Sequence, residues 1–292
     1  MLRNTARAGR ILRGITMQQN FYGEVLYYTF PEFEQYKDLI HGFSSREGGV
    51  SRGFFSTMNM GVHTGDDREN ILENYSIFCD TLGVDVNQVV LAPLSHGDTI
   101  RNVTKDDAGS GLCKPFMFEE TDGLLTDVPG LVLTATFADC VPVFFYDPVK
   151  KVAGIAHSGW RGTVKEIAGK MVERMQADYG CDTKNIHVGI GPSIGMCCFE
   201  VSEDVFYDFT ELTYLEDGWY FDKDNGHYDI DLWRVIWATL TDRGILPENI
   251  AISGICTCCN SSLLFSHRAT KGRRGTMAGM ISIKEPAKKE SL

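Results

Sequence analysis

Hydrophobic residues recur along this chain in two rhythms. From Glu69 to Leu82, Ile71, Tyr75, Phe78 and Leu82 fall at steps of four, three and four, one face of a helix that Gly83 then stops. Thr163-Val-Lys-Glu166 has the spacing of a capping box, and Val164, Ile167, Ala168, Met171, Val172 and Met175 form one apolar stripe behind it. Asp231 opens a third predicted helix, with Leu232, Val235, Ile236 and Leu240 on one side. The second rhythm is a set of short apolar runs that read as strands: Val89–Ala92, Leu131–Thr136, Val141–Tyr146, Val152–Ala156, Ile186–Ile190, Ile250–Ile255 and Met277–Ile283. Several carry no polar face, so both of their faces need cover. Strands and helices interleave without a linker, repeat or low-complexity tract. The predicted class is α/β or α+β, a single layered domain. Strand order does not follow from the pattern.

Composition narrows the function class. The 292 residues carry a net charge of −11, which argues against a nucleic-acid binder, whose affinity rests largely on cations facing phosphates. No apolar run is long enough to span a bilayer. Residues 1–23 hold Arg3, Arg7, Arg10 and Arg13 and no acid. They lack the continuous apolar core of a secretory signal. They are read as a basic, disordered extension before a domain at 24–286, with 287–292 as a tail; a transit peptide or a working start at Met17 are the other readings. Nine cysteines, an odd number without a secretory signal, argue against a disulfide framework and for a reducing cytoplasm.

The chemistry concentrates around one predicted hairpin. Asp147-Pro148-Val149-Lys150 is a turn sequence between apolar strands. With Pro148 and Val149 as the loop, Cys140 and His157 stand directly opposite, Cβ atoms roughly 4.5–5.5 Å apart. Pro142 cannot donate to the ladder, so a bulge or an edge is expected there. The pair alone fits a buried thiol beside a satisfied histidine equally well. His157-Ser-Gly-Trp-Arg-Gly162, however, runs straight into the predicted helix start, whose free N–H groups suit an anion. Arg161 adds a planar cation suited to phosphate or carboxylate. His96, in Leu94-Ser-His-Gly-Asp98, is a candidate third ligand, although spacing alone does not bring it to Cys140. Two imidazoles and a thiolate suit zinc or copper with a position left open. Cys197-Cys198 and Cys256-Thr-Cys-Cys259 have ligand-like spacing but no partner motif of their own, and are read as buried thiols. Ser44–Gly49, carrying Arg46, reads as a glycine turn at a pocket rim; Asn59–Asp66 reads as a loop, with His63 not a ligand.

Many segments together resemble one family. They are His41-Gly-Phe-Ser-Ser-Arg46-Glu-Gly-Gly-Val-Ser51, Asn59-Met-Gly-Val-His-Thr-Gly-Asp-Asp67, Ser95-His-Gly97, Thr121-Asp-Gly123, Ala138-Asp-Cys140, Ala156-His-Ser-Gly-Trp-Arg-Gly162, Ile190-Gly-Pro-Ser-Ile-Gly195, Cys197-Cys-Phe-Glu-Val201 and Phe265-Ser-His-Arg268. In this order they are similar to the laccase-domain family, also called polyphenol oxidase-like or purine nucleoside phosphorylase-like proteins. The resemblance implies an α/β/β/α sandwich of mixed sheets and a zinc site, with copper as the other metal, made by His96, Cys140 and His157. It implies phosphorolysis of adenosine, inosine, guanosine or methylthioadenosine, together with adenosine deamination. Purine nucleosides and phosphate are the expected partners, and a monomer or weak homodimer the expected assembly. Within that chemistry Asp139 is a candidate proton shuttle, Arg46 and Arg161 are candidate phosphate cations, and Asn59 is a candidate ligand for ribose or base. Leu94 and Ser95 stand where the family usually has Gln-Val, Ser158 where it has alanine, and His267 where an aromatic or cationic pocket group is usual. Two other enzyme classes fit the same residues. One is a metal-free cysteine hydrolase or amidase acting on peptidoglycan precursors, with Cys140 as nucleophile and His157 as base. The other is a copper-dependent phenol oxidoreductase, although one mononuclear site lacks the several coppers of a true laccase.

Overall fold

The computed structural model describes residues 17–285. Its strands form two six-stranded sheets and one small sheet. The first sheet runs β1 (Gln18–Tyr22), β2 (Val25–Thr29), β3 (Leu39–Ser44), β15 (Met277–Ile283), β7 (Val132–Phe137), β4 (Val89–Leu91). The second runs β14 (Ile250–Ile252), β10 (His187–Ile190), β8 (Val141–Asp147), β9 (Val152–Ser158), β6 (Gly123–Thr126), β5 (Ile100–Asn102). Pairing is antiparallel except for β4 with β7, β5 with β6 and β10 with β14. The small sheet orders β11 (Glu200–Ser202), β13 (His227–Ile230), β12 (Tyr220–Asp222).

Alternation along the strands builds four layers. Phe43, Leu133 and Phe137 of the first sheet meet Phe144, Tyr146 and Ile155 of the second in a core between the sheets. On the outer side of the first sheet, α1 (Arg68–Leu82) buries Ile71, Tyr75 and Phe78 against Val89, Leu91 and Met280. On the outer side of the second, Val143 and Phe145 pack on α3 (Ile167–Tyr179) and α5 (Leu232–Asp242) through Met171, Val172, Ile236 and Leu240. The expected α/β/β/α arrangement follows, with α4 (Glu203–Thr210) and the small sheet joining the α5 side through Phe206, Phe209 and Trp219. Asp67 caps α1 by accepting from Glu69 N at 3.0 Å, and Gly83 ends it in the left-handed region at φ 69°. Among the described residues no helix is long and apolar enough to cross a membrane.

Three expectations need correction. Residues 1–16 lie outside the described residues, but Gln18–Tyr22, assigned to the basic extension, is β1 and pairs along its length with β2. The hairpin loop is Pro148–Lys151, because Asp147 pairs with Val152 and Pro142 with His157. The Asp147 carboxylate accepts from Val149 N at 2.8 Å and Lys150 N at 3.0 Å, and Lys151 takes φ 55°, which widens the turn. The register therefore moves by two, and Cys140 sits just beyond the last ladder pair, Val141 with Ser158. A slip of two keeps each side chain on its face, so Cys140 and His157 remain neighbours on a diagonal. Finally, Thr163 is not a cap. It lies inside the short helix α2 (Trp160–Val164), its hydroxyl donating to Gly159 O at 3.0 Å, and α3 starts only after Glu166, which stands at φ 58°.

Candidate active site

One buried carboxylate organises the site. Asp122 stands at the head of β6, completely buried. One of its carboxylate oxygens accepts from His157 Nδ1 at 2.8 Å and from His96 N at 3.1 Å. The other accepts from Ser95 N at 3.1 Å, Ser95 Oγ at 2.9 Å and Gly97 N at 2.8 Å. Three successive backbone N–H groups thus converge on one side chain, which explains why His96 sits in the left-handed region at φ 60°. Burial opposes the Asp122 charge, but the His157 hydrogen bond and these donors hold the carboxyl down at about 2.

His96, Cys140 and His157 come together around this anchor. Each offers a donor atom, and the three atoms lie within 4.8 Å of one another. The imidazole rings stand edge to face, centroids 4.9 Å apart. With Nδ1 of His157 committed to Asp122, its Nε2 is the nitrogen left for a ligand. Burial would raise the Cys140 thiol, yet the charge and hydrogen bond of His157, helped by His96, bring it down to about 6. His157 answers in the opposite sense: burial disfavours its cation, but Cys140 and Asp122 raise it to about 10. A thiolate, two imidazoles and a second-layer carboxylate fixing one imidazole form a donor set that fits zinc or copper. Gly159 keeps the space open, since a Cβ there would lie 3.1 Å from Cys140 Sγ and 3.4 Å from His96 Cδ2.

The three residues open into a cavity of about 1020 Å³. Phe116, Phe118, Trp160 and Phe199 give it aromatic walls. Arg161 and His267 both line it. Arg161 stacks over Trp160 at 4.3 Å and makes no salt bridge among the described residues. His267 is the first residue of α6 (His267–Thr270). His63 also lines the wall, stacked on Phe116 and apart from the three donors.

Arg46 and Asn59 are not in this wall, and each has a structural reason to be elsewhere. Arg46 gives its guanidinium hydrogens to Ser56 O at 3.0 Å and Ser261 O at 2.9 Å, and lies over Phe265. Asn59, fully buried, donates to Thr64 Oγ1 and Asp66 Oδ2 and accepts from Gly61 N and Thr276 N, which saturates its amide. Asp139 does line the cavity, but both carboxylate oxygens are taken: Thr257 Oγ1 donates at 2.6 Å and Arg268 N at 2.6 Å.

Two residues of the site escaped the sequence reading. Asp122 lies in Thr121-Asp-Gly123, a segment that carried the family resemblance; an acid placed between small residues before an apolar run was its only further signal. Arg274 belongs to the basic run Lys271-Gly-Arg-Arg274, which has no motif that sets one arginine apart from its neighbours. It lines the cavity instead, its buried Nε without a hydrogen-bond partner, as is the buried hydroxyl of Thr276 beside it. Burial lowers the Arg274 guanidinium pKa, against the opposing pull of Cys140 and Asp139.

A four-layer α/β/β/α fold with a His-Cys-His donor set in an aromatic cavity defines the class. The chain belongs to the family described as multi-copper polyphenol oxidoreductase laccase, which matches residues 40–284. It is 36% identical over 250 residues to purine nucleoside phosphorylase YlmD of Bacillus subtilis, covering 85% of this chain and 90% of that one. It is 33% identical over 256 residues to the mouse purine nucleoside phosphorylase LACC1, covering 85% of this chain and 56% of that one. Among solved structures, the Bacillus licheniformis hypothetical protein YfiH superposes with a TM-score of 0.85 at 36% identity, over 90% of this chain and 97% of that one.

Proposed function

We propose that this chain is a purine nucleoside phosphorylase acting on adenosine, inosine, guanosine or methylthioadenosine, with adenosine deamination as a second activity of the same site. The observation that carries the reading is the cavity, which joins the His96-Cys140-His157 set to an under-paired arginine and aromatic walls. The phosphorylase names of the relatives support it. In phosphorolysis a phosphate oxygen bonds to ribose C1′ while the C1′–N9 bond breaks. The bonding pair leaves with the purine, which takes up a proton, and the sugar departs as its 1-phosphate. Arg274 and Arg161 supply the positive charge a phosphate needs, replacing Arg46 in that role. The faces of Phe116, Phe118, Trp160 and Phe199 suit a planar base. A zinc ion, or copper, held by His96, Cys140 and His157 would supply Lewis acidity. Asp122 fixes the tautomer and direction of His157. Asp139, tied to Thr257 and to the start of α6, is a positioning residue rather than a proton shuttle. The test is phosphate-dependent base release from a panel of purine nucleosides, followed by mass spectrometry, with wild type beside His96→Ala. Release that needs phosphate and is lost in His96→Ala is expected; equal release from both proteins overturns the reading.

A specific geometry favours one other class. Cys140, His157 and Asp122 stand in the order nucleophile, base and orienting acid, as in a cysteine hydrolase. Metal-free protein whose amidase activity disappears on alkylation of Cys140 would favour that reading over the phosphorylase.

A further inference from the structure

We infer that Cys197, Cys198, Cys256 and Cys259 form a second, structural zinc site outside the catalytic cavity. In sequence the two pairs lack partner motifs; in the fold they are each other's partner. β10 and β14 are parallel neighbours, so the loops that follow them leave the second sheet side by side. Ser193 N donates to Ile255 O at 3.2 Å and Thr257 N to Ser193 O at 2.9 Å, which lashes the first loop, just before its cysteines, to the second on either side of Cys256. The turn after Gly195, where Cys198 N and Phe199 N both donate to Gly195 O, aims Cys197 and Cys198 at the same point. That is how two adjacent cysteines address one ion.

The spacing selects the occupant. Sγ of Cys259 lies 3.5 Å from Sγ of Cys197 and 3.5 Å from Sγ of Cys198, and all four sulfurs are within 4.8 Å of one another. A disulfide would need about 2.05 Å. Four thiolates around zinc at about 2.3 Å in a tetrahedron have their sulfurs about 3.8 Å apart. An iron–sulfur cluster spreads its cysteines wider, because each binds a different iron or one edge of the cluster. A close four-sulfur set therefore fits one thiophilic ion. Cys256 is buried and accepts from Gly195 N at 3.3 Å, the kind of N–H···S contact that supports a metal thiolate, while Cys197 and Cys259 are exposed and leave an entry path. Simple hydrophobic packing accounts for Cys256 but not for the exposed thiol of Cys259 drawn up against both the exposed Cys197 and the half-buried Cys198. On binding, the thiol protons pass to solvent as four S–Zn bonds form.

The site is also connected to the cavity. Thr257, inside the Cys256–Cys259 segment, donates to Asp139, and Arg268 donates to the carbonyl of Cys198 at 2.8 Å. Zinc here would clamp the two loops that hold Asp139 and the start of α6.

Zinc content of purified protein is the test, measured on wild type, His96→Ala and Cys197→Ser/Cys259→Ser, with far-UV circular dichroism to check folding. These exposed positions make the double serine variant the one least prone to misfold. His96→Ala should keep about one tightly held zinc per chain, and the serine variant should lose that zinc. Cobalt added to chelator-treated His96→Ala should give the charge-transfer and ligand-field bands of a tetrathiolate site, and the serine changes in that background should abolish them. Zinc content unaffected by the serine changes, or cobalt spectra without thiolate bands, each overturn the proposal. None of these readouts depends on nucleoside turnover, so failure of the phosphorylase reading leaves this test intact.

Discussion

Asp122 reaches His157 Nδ1 at 2.8 Å with the same carboxylate that gathers the backbone N–H groups of Ser95, His96 and Gly97. One side chain therefore aims one imidazole of the His-Cys-His donor set and shapes the loop that carries the other. Asp122→Asn keeps the size but presents one acceptor oxygen where two were used, and replaces the charge. Metal affinity, measured by chelator competition, should fall by about 10–100-fold, the usual range for loss of such a partner, and kcat/KM should fall with it. An Asn variant with wild-type metal affinity would mean that Asp122 holds the loop and not the metal ligand.

The arginines should divide cleanly by kinetics and stability. Arg274→Ala and Arg161→Ala should raise the KM for phosphate, Arg274 more strongly because its guanidinium is half-buried and under-paired. Arg46→Ala should leave the KM for phosphate near wild type and lower stability by about 1–3 kcal/mol, since the Ser56 and Ser261 carbonyls lose their donors. Initial-rate kinetics over a phosphate series, beside urea midpoints, separates the two outcomes.

Gly159→Ala is a steric probe of the ligand set. The backbone at Gly159 has φ −67°, which alanine accepts, but the new Cβ would press on Cys140 Sγ and His96 Cδ2. Metal affinity should drop while the melting temperature changes by only a few degrees, the size of shift about 1 kcal/mol produces in a domain this large. A large loss of stability with affinity unchanged would show that the ligands move aside freely.

His41 should govern part of the acid sensitivity. It is buried between Phe30, Phe33 and Phe144, accepting from Phe30 N at 2.8 Å, and burial lowers its pKa from 6.5 to about 3. Above the unfolded value both states are neutral and the full stability is present. As pH falls from 6.5 toward 3, only the unfolded chain takes up the proton, so stability drops by about 1.4 kcal/mol per pH unit from this group. His41→Gln keeps an acceptor for Phe30 N–H and should flatten urea midpoints measured between about pH 7 and 5 relative to wild type.

How much of this was legible depended on the range of the interactions. The helices at Arg68–Leu82 and Leu232–Asp242 show in the sequence because caps and apolar stripes are local, and Met277–Ile283 because a fully buried strand is a continuous apolar run. β1, β11 and β12 do not show, since exposed strands such as Gln18–Tyr22 have no continuous apolar signature. The proximity of Cys140 and His157 was readable even though the register was two residues off, because face parity survives that slip. Asp122 was not readable as an anchor: its partners lie 25 to 35 residues away and depend on how β6 meets β9. The cysteine pairs failed for the same reason, with about 60 residues between halves that only the parallel pairing of β10 and β14 unites.

The place of β15 has a consequence for biosynthesis. This strand, Met277–Ile283, lies between β3 and β7, in the middle of the first sheet. Until the ribosome has released it, β3 and β7 have no bridge, the inter-sheet core has one wall missing, and Arg274 and Thr276 are not in position. Helices and the second sheet can condense earlier, but the pocket closes only with the last strand. A nascent or prematurely ended chain therefore exposes two unpaired strand edges and offers no working site, which makes it a target for chaperones and proteases rather than a partly active enzyme.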